Sequence, residues 1–330
     1  MSTVFFKNVI KYAEKKLISR AAKRGKPFDK KIFFCNNKPM PNKMRIRAPA
    51  KLNLHLRVLS SEESAREDGY HSIESVFQAV DLCDELTVEK KAGGPLCRIK
   101  TDIVLPAENT LTTAYGEFCN LTGIKEGVQV GLVKRIPSGA GLGGGSSDAA
   151  SLLIVLDKLF ETDLSLEQMM QAACRVGSDV AFFLSRGCAV VTGRGEFIRE
   201  IGSRNDLYFV LVHPDVHSST KEAYALLDER LNGSIPAEFP GVAELESIYR
   251  KPAAQWTFGN SFTEPLAESY PVIAAALKSL KAVGADFAQM TGSGSAVYGV
   301  FPSEKEAKSA CSRLFGRWKC RVVQACNLPV

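Results

Sequence analysis

Residues Pro137 to Ser151 read PSGAGLGGGSSDAAS, and the fold of the surrounding chain turns on how they are read. Five glycines, at 139, 141, 143, 144 and 145, fall within seven consecutive positions. Upstream lies VQVGLVKRI, with the alternation of a strand; downstream lies SSDAASLLIVLDKLF, with the apolar period of a helix. A strand-to-helix turn that uses glycine for geometry alone needs one or two. Backbone without Cβ atoms can take positive φ and approach a ligand closely, and the free N–H groups and positive dipole end of the following helix favour an anion. The stretch is therefore expected to cradle phosphate.

Three nucleotide loops compete for it. A Walker loop requires Gly-Lys before Ser or Thr, and there is no such lysine here. The GxGxxG fingerprint is met by Gly139, Gly141 and Gly144, but it requires a second strand with an acidic residue about 20 residues on. The next segment, KLFETDLSLEQMMQAACRV, reads instead as more helix. The third loop is proline followed by a Gly-Leu-Gly core and small residues. Pro137, Gly141, Leu142, Gly143, Ser146 and Ser147 match it in order, and in this the sequence resembles the GHMP kinases.

At 330 residues and 45% apolar content, the chain can bury two cores. It contains no apolar run of the roughly 18 residues that a spanning helix needs. Nine cysteines are scattered with no C-x-x-C pair, which predicts reduced, packed thiols and a cytoplasmic setting. The net charge of +6 is unevenly spread: residues 1 to 44 carry twelve Lys or Arg against Glu14 and Asp29, and the remainder is mildly acidic. No nucleic-acid footprint across the fold and no membrane partner are expected. Residues 1–43 are expected to be a dispensable basic extension ahead of a start at Met44. An amphipathic helix carrying Phe5, Val9 and Tyr12, or a plastid transit peptide, are the other readings.

From Met44 the pattern becomes globular. RIRAPAKLNLHLRVL predicts a strand interrupted at Ala-Pro-Ala, and HSIESVFQAVDLCDELTVEKK predicts two more. ENTLTTAYGEFCNLTG predicts a helix capped near Asn109 and stopped near Gly123. CAVVTGRGEFIREI predicts a hairpin. The expected first domain, 44–202, is thus mixed α+β. The expected second, 203–330, runs strand, helix, strand, strand, helix, strand, the order of a ferredoxin-like layer. Pro271 is expected to kink a helix or to mark its start.

Two side chains outside the loop suit alcohol phosphorylation. Asp179, in VGSDVAFF, is either a helix cap or a carboxylate free to take a hydroxyl proton. Lys51, in PAKLNLHL, is either a solvated strand residue or a cation that keeps such a carboxylate ionised and offsets phosphoryl charge. Alternation places Lys51, Asn53 and His55 on one strand face and Leu52, Leu54 and Leu56 on the other. A second glycine loop, Gly292, Ser293, Gly294 and Ser295, either joins a hairpin or closes over a ligand. In DGYH, Tyr70 and His71 either begin a strand or receive a flat heterocycle by stacking and edge hydrogen bonds.

Taken in order, PAKLNLHL, DGYH, PSGAGLGGGSSDAA, GSDVAFF, TGRGE and TGSGSAVYG give a close resemblance to one branch of the GHMP kinases, from about Met44 to Asn327. The resemblance implies a two-domain α+β fold: an N-terminal domain like ribosomal protein S5 domain 2, and a ferredoxin-like C-terminal domain. It implies an ATP-dependent kinase acting on the 2-hydroxyl of a methylerythritol that carries a cytidine diphosphate, in isoprenoid precursor synthesis without mevalonate. Lys51 and Asp179 match the catalytic pair. The ATP phosphates are assigned to Pro137, Gly139, Gly141, Leu142, Gly143, Gly144, Gly145, Ser146 and Ser147, with Mg2+ carried by the nucleotide and no protein ligand to it assigned. Asn53, Tyr70, His71, Thr220 and Tyr224 match substrate contacts, the two tyrosines sandwiching cytosine and His71 at its edge. Two positions depart from the pattern: Ala181 stands where proline is common, and Ser261 where aspartate is usual. The alternatives are a homoserine or mevalonate kinase and, in another class, an RNA-binding protein using the S5-like layer and the basic tail.

Overall fold

The computed structural model describes residues 42–59, 71–94, 96–216, 219–231 and 239–328. The expectations for the tail and for Tyr70 fall outside them. Two sheets organise Asn42–Val330, which form one compact unit.

The first sheet is built on a long antiparallel pair, β1 (Lys43–Val58) and β2 (Ile73–Lys91). β1 is not interrupted at Ala-Pro-Ala: it runs through, and its register shifts between Pro49 and Ala50. Proline has no N–H for the ladder, so the strand absorbs it as a bulge rather than ending there. β2 is likewise one strand and not two. Within it one oxygen of the Asp84 carboxylate accepts the backbone N–H groups of Arg135 and Ile136 at 2.5 and 2.8 Å. β3 (Cys97–Lys100), β4 (Gly127–Val133), β5 (Cys188–Gly193) and β6 (Phe197–Glu200) complete the order β3-β4-β2-β5-β6, with β1 also paired to β2.

Helices α1 (Thr110–Thr122), α2 (Gly144–Phe160) and α3 (Leu166–Val176) share a core with this sheet. Asn109 caps α1, accepting from the N–H groups of Leu111 and Thr112 at 3.0 and 3.2 Å, and Gly123 ends it with φ 71°. α2 is buried on every side: Leu152, Leu153, Ile154, Val155 and Leu156 are all shielded from solvent. A helix apolar all round must lie inside the domain, so the glycine-rich stretch at its start is anchored to the core.

The second sheet holds β7 (Tyr208–His213), β8 (Phe287–Met290), β9 (Val297–Phe301) and β10 (Lys319–Gln324) in the order β10-β7-β9-β8, all antiparallel. It carries α4 (Thr220–Leu231), α5 (Leu245–Arg250), α6 (Thr263–Ser269), α7 (Pro271–Ala282) and α8 (Glu304–Leu314). Strand order and connection match the expected ferredoxin-like layer. Pro271 is the first residue of α7, where its missing N–H costs nothing.

The two sheets meet through one apolar cluster in which Leu52, Leu54 and Val76 pack with Phe209, Tyr298 and Trp256. Alternation along β1 therefore does not separate a wet face from a dry one: Lys51, Asn53 and His55 are as buried as Leu52, Leu54 and Leu56. A second register shift, between Asn53 and His55, takes His55 out of line with the other two.

Candidate active site

A cleft of about 1110 Å³ is lined by both sheets' loops, among them the glycine-rich stretch, Lys51, Asp179 and the start of α4. The glycine loop forms its floor. Gly141 has φ 75° and Gly143 φ 68°, conformations that side chains rarely adopt. Close packing gives a second reason for both glycines. A Cβ on Gly141 would collide with the carbonyl of Thr291, and one on Gly143 would come within 2.9 Å of Lys51 Cγ. Pro137, Gly139, Gly141, Leu142, Gly143, Gly144, Gly145 and Ser146 all line the cleft. Ser147 does not: it is fully buried beneath the loop, with no partner for its Oγ among the described residues. Thr110, at the start of α1, donates 2.9 Å to the Gly145 carbonyl and supports the loop from behind.

The second glycine loop is more than a hairpin connection, because it packs against the first. Thr291 Oγ1 donates 3.1 Å to the Gly141 carbonyl and accepts the Asn53 N–H at 3.0 Å, tying β1, the first glycine loop and β8 together. Gly292, Ser293 and Gly294 face the cleft, whereas Ser295 is buried and donates to the Val216 carbonyl at 2.5 Å. Asn260 holds this loop from below, giving its amide N–H groups to the carbonyls of Met290 and Gly292 at 2.9 Å each. The asparagine turn forms with serine at 261, whose Oγ accepts the Val58 N–H at 3.0 Å.

Lys51 and Asp179 are brought together across the cleft wall, Nζ to Oδ2 at 3.4 Å. The lysine is buried; its Nζ also donates 2.5 Å to Asn53 Oδ1 and lies 4.6 Å from the ring centre of Phe77. Asp179 sits in a turn, not at a helix cap, since the short 3-10 helix Ala181–Leu184 is preceded by Val180. The hairpin glycine Gly195 packs on this turn, where a Cβ would stand 3.0 Å from the Ser178 carbonyl. Ala181 is fully buried in that helix.

At the far end, α4 presents Thr220 and Tyr224. Thr220 Oγ1 lies 3.2 Å from Ser293 Oγ, so the second loop reaches α4 as well. His71 is stacked on Tyr224, with ring centres 5.3 Å apart, and its Nε2 lies 3.2 Å from Asp228 Oδ1. Phe262 meets the Tyr224 ring edge-on at 4.9 Å. Burial first, then the charges of Asp179 and Asp228, pushes the Tyr224 phenol up to about 12, so it stays a neutral donor.

Four groups in or beside the cleft were not among the sequence candidates: Thr291, Asp228, Lys134 and Asp148. Asp228 follows Tyr224 by one helical turn, a spacing that could have flagged it. Lys134 stands just before the loop in LVKRIP and Asp148 just after it in SSDAA, but lone charges beside a glycine loop carry no pattern of their own.

The family profile described as GHMP kinases N terminal domain matches residues 109–187, and that described as GHMP kinases C terminal matches 245–320. The chain is 42% identical over 292 residues to the 4-diphosphocytidyl-2-C-methyl-D-erythritol kinase of Treponema pallidum subsp. pallidum, covering 86% of this chain and 99% of that protein. A crystal structure of 4-(cytidine 5'-diphospho)-2C-methyl-D-erythritol kinase superposes with a TM-score of 0.73 at 30% identity, over 86% of this chain and 99% of the other. The homoserine kinase of Cytophaga hutchinsonii superposes with a TM-score of 0.60 at 19% identity, over 88% and 97%, a likeness of fold alone.

Proposed function

The chain belongs to the 4-diphosphocytidyl-2-C-methyl-D-erythritol kinase family of the GHMP kinases, and on that premise we propose how its cleft is used. It is an ATP-dependent phosphotransferase, phosphorylating the 2-hydroxyl of 4-diphosphocytidyl-2-C-methyl-D-erythritol in isoprenoid precursor synthesis without mevalonate. The observation that carries the site assignment is the Lys51–Asp179 pair set beside an anion loop in one cleft.

In this reading the backbone of Gly141 to Ser146 holds the ATP phosphates, with Mg2+ entering on the nucleotide as part of the substrate. The acceptor hydroxyl oxygen attacks the γ-phosphorus as the bond to the β–γ bridging oxygen breaks, and ADP leaves with that electron pair. An alcohol is a very weak acid, so its proton passes to the Asp179 carboxylate as transfer proceeds through a loose transition state. Lys51 orients the carboxylate and offsets charge on the transferring group. Asn53 fixes Lys51 from the other side.

The cytosine end is assigned to Tyr224, His71, Thr220 and, by the resemblance, Tyr70. His71 covers one face of Tyr224, so a cytosine stacked on that face takes the place of the imidazole, which then moves to the base's polar edge. The deciding experiment is ADP release measured with the cytidine diphosphate substrate, with mevalonate and with homoserine. Strong preference for the first is expected, and preference for either other acceptor would overturn the substrate assignment.

A further inference from the structure

Lys134 and Asp148 take no part in that chemistry, yet both line the cleft at the glycine loop. Lys134 directly follows β4. A Cβ built on Gly144 would stand 3.0 Å from Lys134 Nζ, so the ammonium rests against the first residue of α2. Nζ donates 3.0 Å to Asp148 Oδ2 and also to Asp84 Oδ2, whose other oxygen is held by backbone N–H groups. Two of the three ammonium hydrogens are thereby engaged, and the third has no acceptor among the described residues. Asp148 is 3% exposed, and its Oδ1 is buried without a partner among the described residues.

One cation between two carboxylates leaves the group with a surplus negative charge, placed where a triphosphate is to bind. That arrangement repels the ligand unless one carboxyl is neutral. The two carboxylates differ in their partners: Asp84 accepts from two backbone N–H groups on one oxygen and from the ammonium on the other, whereas Asp148 Oδ1 accepts from nothing among the described residues.

We propose that Lys134 is the cation of the phosphate subsite, the part that a Gly-Lys loop gives to its own lysine, with Asp84 positioning it and Asp148 becoming protonated when nucleotide binds. This rests on reading the loop as the cradle for ATP. The charged groups acting on Asp148 are Lys134, at the end of β4, and Asp84, on β2. Burial raises the Asp148 carboxyl to about 7; Lys134 works against that rise and Asp84 adds to it. For Lys134, burial opposes the charge, but the two carboxylates outweigh it and hold the ammonium above its ordinary range. Lys134 binds the ligand directly, and Asp84 and Asp148 act through it.

The test is the affinity of the full chain for a non-hydrolysable ATP analogue with Mg2+, measured by calorimetry from about pH 6 to about pH 8 without acceptor. Wild-type affinity should weaken as pH rises through about 7, where Asp148 gives up its proton. Asp148→Asn removes the negative charge, so it should bind about three- to tenfold tighter at the alkaline end and lose much of the pH slope. Lys134→Gln should weaken binding about tenfold or more. If Lys134→Gln fails to fold, the Asp148→Asn comparison still decides. Weaker or unchanged binding in Asp148→Asn, a wild-type slope, or a raised Mg2+ requirement would each overturn the proposal. Absence of analogue binding by folded wild type would instead remove the reading of the loop as an ATP cradle.

Discussion

Two lysines stand at the two sides of one cleft, Lys51 buried and Lys134 half-buried, and they are paired differently. Lys51 shares its charge with Asp179, whose side chain is 29% exposed, whereas Lys134 lies between Asp84 and Asp148, which are 0% and 4% exposed. A carboxylate that still touches the cleft can meet a hydroxyl and exchange a proton with it. Carboxylates almost wholly buried, at the cleft wall or behind it, cannot readily reach an incoming acceptor; they set where a positive charge sits and how strongly it is felt. On the proposed reading the same pair of residue types serves chemistry at one side and charge placement at the other, and burial makes the difference.

The sharpest way to break this comparison is Asp179→Asn. It should lower turnover by roughly a thousandfold while leaving thermal stability and ATP binding near wild type; near-normal turnover would remove Asp179 from the mechanism. On the enclosed side the balance should reverse. Asp84→Ala leaves Lys134 without one partner and Arg135 and Ile136 without their acceptor, and should cost about 3–5 kcal/mol in denaturant unfolding. A stability loss below about 1 kcal/mol would show that solvent or rearrangement replaces these bonds.

His55 sharpens the contrast because it is buried like Lys51 but paired with no carboxylate among the described residues. Its Nδ1 accepts the Gly259 N–H at 3.2 Å, and Phe258 and Phe239 flank its ring. Burial first, then the positive charge of Arg57, lowers it from 6.5 to about 3, so it is neutral in the fold. The unfolded chain takes up a proton there between those values. Stability should thus be full above about 6.5 and fall as pH drops toward about 3, by up to about 1.4 kcal/mol per unit. Urea midpoints across that window should show this slope, and His55→Asn should flatten it.

The smallest expected effect concerns the tie between the two glycine loops. Thr291→Val removes the hydroxyl that joins Asn53 to Gly141 and should cost about 1 kcal/mol. If the loops are held mainly by backbone packing, turnover will change little, and a rise in the KM for ATP would show that the hydroxyl sets the loop's position.

Much of this was legible in one dimension because its physics is local. Asn109 and Gly123 bound α1 through bonds spanning a few residues, and the five glycines declare a backbone that must bend and be approached. The errors came where distant chain supplied the missing partner. β2 reads as two strands until the backbone of Arg135 and Ile136 arrives to bond Asp84 within it, and β1 looks one-sided until a second sheet covers its other face. Ser147 looks like part of the cradle, but α2 turns it into the core. Lys134 and Asp148 gave no signal because their meaning depends on each other and on Asp84, 50 residues before Lys134 in the chain.

By itself, the sequence determined that a glycine loop meets a helix, that strands and helices alternate as in a ferredoxin-like layer, and that the motifs follow a kinase order. These are properties of short segments, set by backbone freedom and periodic burial. Only the tertiary structure decided that Lys51 reaches Asp179 across 128 positions and that the second glycine loop packs on the first. It also decided that one lysine is left a carboxylate open to the cleft while the other is enclosed. Electrostatic roles depend on distance and burial, and neither exists until the chain has folded.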